Sequence, residues 1–206
     1  MKPPRWRTPP FPGTGAALGL AVTLALGGCA AGSLAGAALD MLGMHKTPEL
    51  PDAQKAARNV SIRLHASDNL NTDSGGHPLA LVARIYKLRQ SAAFQQAAYE
   101  GFLNPATEHA LLGNDLLEVK EVLLVPGQRY EVVEKVSREA YFIGVVALFR
   151  APAQQRWRLA FAADEAEKNG ITIGLHGCAL SVGSGAPASA ATVGETTQPL
   201  SSVRCL

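Results

Sequence analysis

The stretch that decides the fold is VSIRLHA at residues 60–66, where apolar side chains occupy every second position. This alternation indicates a β-strand with one buried face and one exposed face. Further along the chain, LALVARIYKL at residues 79–88 starts with apolar residues on both faces, and YFIGVVALF at residues 141–149 is apolar throughout. Strands of that kind are covered on both sides. We therefore predict a mainly β protein in which these two stretches form central strands.

The pattern changes from strand to helix after residue 90. Phe94, Ala98 and Phe102 fall on one helical face, and Ser91 precedes them at a position that suits an N-cap. The pair Asn104-Pro105 interrupts this helix, and a second short helix is closed by Gly113. We predict a small helical insertion at about residues 91–117, after the second strand.

Closely spaced strands follow the insertion, and the predicted ones are Val119–Val125, Tyr130–Val136, Tyr141–Phe149, Arg156–Ala162 and Ile171–Val182. Asn169-Gly170 is a tight-turn signal and predicts a turn between the last two strands. About seven strands in all favour a two-sheet β-sandwich over residues 59–182, because a sandwich buries two apolar sheet faces. Residues 183–206 are rich in Ser, Thr, Ala, Gly and Pro and are predicted to be a disordered tail.

The N-terminus has the three-part layout of an export signal. Basic Lys2, Arg5 and Arg7 precede an apolar run at residues 16–26, and the run closes with Leu26-Gly27-Gly28-Cys29, which resembles the bacterial lipobox. These features predict a signal peptide at residues 1–28, an acylated Cys29 and a tether over residues 29–58. The alternative is an uncleaved transmembrane helix, which the apolar run is too short to form because a span needs about 20 residues.

The charge balance argues against one class of protein. The 206-residue chain carries 19 basic and 17 acidic residues, and removal of the signal would leave 16 basic residues and a formal charge of −1. Binding to phosphate backbones needs a clustered positive excess. We therefore expect no nucleic-acid partner.

Two cysteines remain once Cys29 is assigned to lipid. An exported chain reaches an oxidising compartment, where Cys178 and Cys205 could form a disulfide that pins the tail to the last strand. The alternative, two unpaired thiols, stays open at this point.

No constellation of catalytic or metal-binding residues stands out. The five histidines are widely spaced and include no i, i+4 pair: His45, His65, His77, His109 and His176. Glu131 and Glu134 are expected to be charges on a strand surface. Arg84 lies inside an apolar strand and is expected either to reach an edge or to pair with a carboxylate, in a structural role. We predict no catalytic residue, no metal and no cofactor.

Several short motifs occur in a fixed order between residues 59 and 180. The ordered set is Leu70-Asn71-Thr72-Asp73, Gly76-His77-Pro78-Leu79, VARIYKLR at residues 82–89, Phe94, Tyr99, Leu116-Leu117, Glu121, Pro126-Gly127, GVVALFR at residues 144–150 and Trp157-Arg158. Together with the lipobox, this set resembles the TssJ family, the outer-membrane lipoprotein of the bacterial type VI secretion system. Thr72 stands where the family commonly has Pro, Ala151 replaces its usual acidic residue, and the tail beyond Val182 is extra.

The resemblance implies a fold and a function. The fold is a transthyretin-like β-sandwich with added helices, and the protein is no enzyme but holds a membrane complex at the outer membrane, facing the periplasm. Its partner is the periplasmic C-terminal region of a TssM-like inner-membrane protein and, indirectly, a TssL-like protein. Ala30, the residue after the acylated cysteine, favours the outer membrane by resemblance to enterobacterial sorting rules.

The same resemblance places partner binding in the loop between strands one and two, Ser67–Pro78. The residues predicted to bind are Asp68, Asn69, Leu70, Asn71, Thr72, Asp73, Gly75 and Gly76. Leu70 is expected to offer an apolar anchor and the others polar or close backbone contacts. We also expect deletion of residues 69–76 to weaken partner binding and to leave folding intact.

An alternative function is a periplasmic lipoprotein that binds a small ligand in its β-sandwich. It predicts an apolar pocket with a few convergent polar groups, whereas the scaffold predicts a protruding polar loop.

Overall fold

The computed structural model describes residues 49–185, 200 and 203–205, and its first strand is the alternating stretch described above. The strand β1, Arg58–Ala66, turns Val60, Ile62 and Leu64 inward, and all three are fully buried. The predicted signal peptide, Cys29 and most of the predicted tether lie outside the described residues. Within the described part of the chain, no helix is long and apolar enough to cross a membrane.

Eight strands form two four-stranded sheets. The remaining strands are β2 Leu81–Leu88, β3 Leu116–Leu124, β4 Arg129–Val136, β5 Phe142–Ala147, β6 Arg158–Ala162, β7 Ile171–Leu175 and β8 Leu180–Ser184. The first sheet has the order β4-β1-β7-β8 and the second the order β3-β2-β5-β6. All paired strands are antiparallel except β1 and β7, which run parallel. The predicted two-sheet β-sandwich is confirmed, and β2 and β5 are central as expected.

Short helices connect the strands. The α-helices are α1 Ala92–Gln96, α2 Pro105–Leu112 and α3 Ala163–Asn169, and 3₁₀ turns cover Asp52–Gln54, Tyr99–Phe102 and Gly113–Asp115. The helical insertion lies after β2 as predicted, although its first helix stops at Gln96 and resumes as a 3₁₀ turn. The Asn104 side chain caps α2 by accepting from the amides of Ala106 and Thr107.

The predicted turn at Asn169-Gly170 between the last two strands is wrong. Residues 163–169 form α3, and Gly170, with φ +67°, ends this helix just before β7. Alanine and glutamate favour helix, the acidic first turn suits the helix dipole, and glycine is the usual residue after a helix C-terminus. The predicted strand 171–182 is divided into β7 and β8 by a turn at residues 176–179, and β8 continues to Ser184, inside the predicted tail.

The helical insertion covers the outer face of the second sheet. Phe94 and Phe102 pack against Tyr86 of β2 with ring centroids 5.3 and 5.9 Å away, and all three side chains are buried. Gly144 of β5 makes room for this layer, because a Cβ there would lie 2.6 Å from the Phe94 ring. Strand β2 is therefore buried on both faces, by the first sheet and by the insertion.

A buried carboxylate joins the insertion to β2. Glu108 of α2 accepts hydrogen bonds from the Tyr86 hydroxyl and, at 2.9 Å, from Nη1 of Arg84. Burial raises the pKa of Tyr86, and the bond to Glu108 raises it further, so the phenol keeps the proton that it donates. Of the two structural roles expected of Arg84, the structure shows the pair with a carboxylate; the guanidinium also contacts Glu121 at 3.0 Å.

A second ion cluster joins the two sheets. Glu134 of β4 lies 3.3 Å from the Lys87 ammonium on β2 and 2.6 Å from that of Lys120 on β3. Burial raises the pKa of Glu134, but the bonds from the two lysines outweigh it and the pKa is lowered overall. The expectation that Glu134 is a surface charge is wrong, because its residue is only 7% exposed and its carboxylate spans the gap between the sheets.

Glu108 and Glu121 form a matched pair for testing the insertion. We expect Glu108→Ala to lower the free energy of unfolding by about 3 kcal/mol, because it leaves the buried Tyr86 hydroxyl without its acceptor and removes the buried carboxylate that pairs with Arg84. Glu121→Ala removes the exposed partner of the same arginine and should cost less than about 1 kcal/mol. Urea denaturation of both variants measures the difference, and equal losses would contradict this role of Glu108.

Candidate functional site

One end of the sandwich collects the long connections. The β1–β2 loop, residues 67–80, lies there beside the β3–β4 turn, with the Gly127 amide donating to the Ser67 carbonyl at 3.2 Å. The segment after β5 and the β7–β8 turn, residues 176–179, reach the same end. The loop predicted to bind a partner is therefore supported by three other connections.

The β1–β2 loop is held by backbone hydrogen bonds to the β7–β8 turn. The amide of Asn71 donates to the His176 carbonyl and that of Thr72 to the Gly177 carbonyl, each at 3.0 Å. Gly177 allows this approach, because a Cβ at that position would lie 3.2 Å from the Thr72 hydroxyl oxygen. A loop fixed by such bonds presents a defined surface and loses little conformational entropy on binding.

Leu70 and Asn71 point into the protein. Leu70 is completely buried in the main core, so the prediction that it offers an apolar anchor to a partner is wrong. Asn71, 7% exposed with φ +48°, donates from its side-chain amide to the Ala80 carbonyl at 2.9 Å and accepts from the Arg150 amide at 2.8 Å. Both residues therefore hold the loop in place.

The tip of the loop is organised by Asp73. Its Oδ1 accepts from the amides of Gly75 at 2.8 Å and His77 at 2.9 Å, and its Oδ2 lies 3.3 Å from Nδ1 of His77. The hydrogen bond from the His77 amide has the largest effect and lowers the pKa of Asp73. Desolvation raises this pKa by less, and the bond from the Gly75 amide lowers it further. The positive φ of Gly76, +84°, completes the turn.

The six predicted binding residues other than Leu70 and Asn71 reach the surface to different degrees. Asp68, Asn69, Gly75 and Gly76 are exposed, and Thr72 and Asp73 are half-buried. Thr72 donates from its hydroxyl to the Asn69 carbonyl at 2.6 Å, and the Ser67 hydroxyl donates to the Asn69 side chain at 2.6 Å. The surface that the loop offers to another molecule is therefore polar.

The C-terminal segment, by which we mean the described residues Leu200 and 203–205, also lies at this end, and sequence reasoning did not place it there. Cys178 of the β7–β8 turn is bonded to Cys205 with a sulfur–sulfur distance of 2.04 Å. Val203 packs against the small cluster of Ala153, Cys178 and Ala179. A cavity of about 230 Å³ opens between the C-terminal segment and the loop residue Asn69. The signal in the sequence was the cysteine pair, but the hydrogen bonds from the β1–β2 loop to the turn beside Cys178 were not foreseeable.

A larger cleft lies beside the outer face of the second sheet. It has a volume of about 470 Å³ and is bordered by Tyr99 of the insertion, Arg150 after β5, and Trp157 and Arg158. The Arg158 guanidinium stacks over the Trp157 ring at 4.5 Å. This cleft is outside the sandwich, whereas the alternative function predicted a ligand pocket within it. Among the described residues, no group of three His, Cys, Asp or Glu side chains is placed to hold a metal ion.

The fold and the site together define a two-sheet β-sandwich that displays a supported polar loop at one end. The profile of one family, described as type VI secretion lipoprotein, VasD, EvfM, TssJ, matches residues 58–178. The chain belongs to this family of type VI secretion lipoproteins. Comparison with curated proteins finds no match.

The solved structures that this chain resembles also come from type VI secretion systems. A chain of a structure described as "Type VI membrane complex" is 29% identical, with a TM-score of 0.56, over 61% of this chain and 98% of that one. A chain of the structure of the TssM C-terminal domain from EAEC is 29% identical, with a TM-score of 0.51, over 61% and 97%. The lipoprotein TssJ1 from Pseudomonas aeruginosa is 27% identical, with a TM-score of 0.54, over 65% and 99%.

The Asp73 turn makes a prediction about pH. Because the folded protein lowers the pKa of Asp73, the turn keeps its carboxylate bonds at neutral pH and loses them as the pH falls through that lowered value. We expect the amide shifts of Gly75 and His77 in a ¹⁵N NMR titration to change with a midpoint below 3.8, the ordinary value for aspartate. Asp73→Asn should abolish this transition, and a midpoint above 3.8 would contradict the turn geometry.

The cysteine pair makes a prediction about reactivity. We expect iodoacetamide to modify neither Cys178 nor Cys205 in the unfolded, unreduced protein, and to modify both after reduction with TCEP. Intact mass spectrometry of a Cys29→Ser protein distinguishes the two states without interference from the third cysteine. Modification of both residues before reduction would show two free thiols.

Proposed function

We propose that this protein anchors a type VI secretion membrane complex at the outer membrane. Cys29 carries the acyl chains that hold it on the periplasmic face, and the residues between Cys29 and β1, which begins at Arg58, bridge the distance to the sandwich. The exposed part of the β1–β2 loop binds the periplasmic C-terminal region of a TssM-like inner-membrane protein, and through it indirectly a TssL-like protein. The role is mechanical and involves no catalysis.

The observation that carries this proposal is the combination of exposure and rigidity in the β1–β2 loop. Asp68, Asn69 and the Gly75-Gly76 tip are open to solvent, while Leu70 and Asn71 fix the loop from below. A recognition loop on a rigid scaffold binds without a large ordering cost. The relatives described as a type VI membrane complex and as a TssM C-terminal domain structure support the choice of partner.

Lipid anchoring favours partner binding further, because it raises the local concentration of this protein at the membrane. A single acyl chain gives only marginal membrane binding, whereas several chains on one cysteine give a stable anchor. A protein held at one membrane meets a partner that crosses the periplasm at a high effective concentration, so a moderate affinity is enough for assembly.

Two serines at opposite ends of the sandwich test the loop. Ser74 is exposed at the loop tip, and Ser137 is exposed in the β4–β5 turn at the other end. We expect Ser74→Arg to weaken binding of the partner's periplasmic C-terminal region about tenfold, or about 1.4 kcal/mol, by placing a bulky charge in the interface. Ser137→Arg introduces the same group away from the loop and should leave the affinity unchanged in calorimetric titration.

Deletion of the loop is a less informative test than the serine pair. Deletion of residues 69–76 would remove the buried Leu70 and the Asn71 amide, so loss of binding could follow from damage to the fold. The serine pair avoids this problem because both side chains are exposed. If both arginine variants bind like wild type, the interface lies elsewhere on the protein.

The anchor is tested separately. We expect Cys29→Ser to move the protein from the membrane fraction to the soluble periplasmic fraction, because serine cannot carry the thioether-linked lipid. Fractionation followed by immunoblotting measures this, and Cys178→Ser serves as the control because that cysteine lies in the folded domain. Membrane association that survives Cys29→Ser would contradict lipid anchoring.

A further inference from the structure

The β7–β8 turn contacts two different parts of the chain. On one side, its His176 and Gly177 carbonyls accept the hydrogen bonds of the β1–β2 loop. On the other side, Cys178 is bonded to Cys205, and the Cys178 carbonyl accepts from the Ala153 amide at 2.9 Å. The turn is therefore the common support of the loop and of the C-terminal segment.

The cavity of about 230 Å³ lies where these parts meet, and we call it the junction cavity. Its lining includes Asn69 from the loop, His176 and Ala179 from the turn, and Leu200, Val203 and Cys205 from the C-terminal segment. Pockets for small molecules occupy roughly 300–1,000 Å³, so this cavity is smaller than a ligand site of that kind. Its size suits a single side chain.

The walls of the junction cavity differ in chemistry. Leu200 and Val203 form an apolar wall, and Val203 is fixed by its packing on Ala153, Cys178 and Ala179. Asn69 also lines the cavity; it is exposed, and its side-chain oxygen accepts from the Ser67 hydroxyl. A small pocket with an apolar wall beside polar groups can receive an anchor residue of a protein interface.

We propose that the junction cavity receives an apolar side chain of the protein that binds the β1–β2 loop, and that the Cys178–Cys205 disulfide completes the site by holding its apolar wall. This rests on the proposed function, so the occupant is an aromatic or branched apolar residue of the TssM-like periplasmic region. The cavity borders Asn69, so one bound segment can contact both the loop and the cavity.

The C-terminal wall is built from residues outside the region that the family model matches. The family match ends at residue 178, whereas Leu200, Val203 and Cys205 come after it. The disulfide therefore joins the last matched residue to a segment beyond the matched region. Without the bond, the segment would have to be ordered when the partner binds, and that entropy cost would be subtracted from the affinity.

The test removes the wall in two independent ways. Cys178→Ser/Cys205→Ser frees the segment, and Val203→Ser keeps the disulfide but removes the apolar surface; Arg204→Ala, at the exposed neighbouring residue, is the control. Full-length acylated protein in detergent is titrated with the partner's periplasmic C-terminal region, using biolayer interferometry. We expect both cavity variants to bind about tenfold more weakly than wild type and the control to bind normally.

Reduction provides a matched control for the disulfide. TCEP should weaken binding of the wild type to the level of the double serine variant, and it should not change binding of that variant, which has no disulfide to reduce. Urea denaturation of Val203→Ser shows whether the sandwich stays folded, and this variant keeps its covalent bond in either case.

The outcomes separate this proposal from the proposed function. If wild type binds and Ser74→Arg weakens binding, but Val203→Ser and TCEP do not, the loop function stands and the cavity proposal is overturned. Tighter binding after reduction would also overturn it, since the segment would then be a cover over the site. If wild type does not bind the partner region at all, the proposed function fails and the cavity proposal fails with it.

Discussion

The architecture depends on the requirement that strand β2 be covered on both faces. Its inward residues Leu81 and Ile85 pack within the sandwich, while Tyr86 on the other face is fully buried beneath the helical insertion. A polar hydroxyl in that position needs a partner, and Glu108 supplies it from the insertion itself. The apolar cover and the polar bond therefore depend on each other, and the insertion forms a third layer on the sandwich.

The same division between buried and displayed groups organises the loop end. A long polar connection would ordinarily be mobile, but Leu70 of the β1–β2 loop is buried in the core. The Asn71 side chain then bonds to Ala80 at the end of the loop and to Arg150 after β5, and the β7–β8 turn accepts the backbone amides of Asn71 and Thr72. The buried residues Leu70 and Asn71 thus determine the shape of the exposed part of the loop. Substitution of a buried residue would change that shape, whereas substitution of an exposed residue would change the contact surface itself.

Much of this structure could be predicted from the sequence, because strand periodicity and turn residues are local signals. The alternation around Ile62 and the apolar run around Val145 predicted strands that are central in the first and the second sheet. The errors arose where a local signal serves two purposes: Asn169-Gly170 ends a helix as readily as it makes a hairpin. The loop was located correctly, but the inward direction of Leu70 and the burial of Glu134 depend on contacts with distant strands, which no local pattern encodes.

The parallel pairing of β1 with β7 has a consequence for the order in which the protein folds. Ile62 pairs with Ile171, so the first strand cannot complete its sheet until nearly the whole domain has been made. Contacts this distant in sequence slow folding, and a chain that emerges from its N-terminus leaves one edge of β1 open in the meantime. Partners that are closer in sequence, such as β5 and β6, can pair earlier, so the pairing of β1 with β7 forms late.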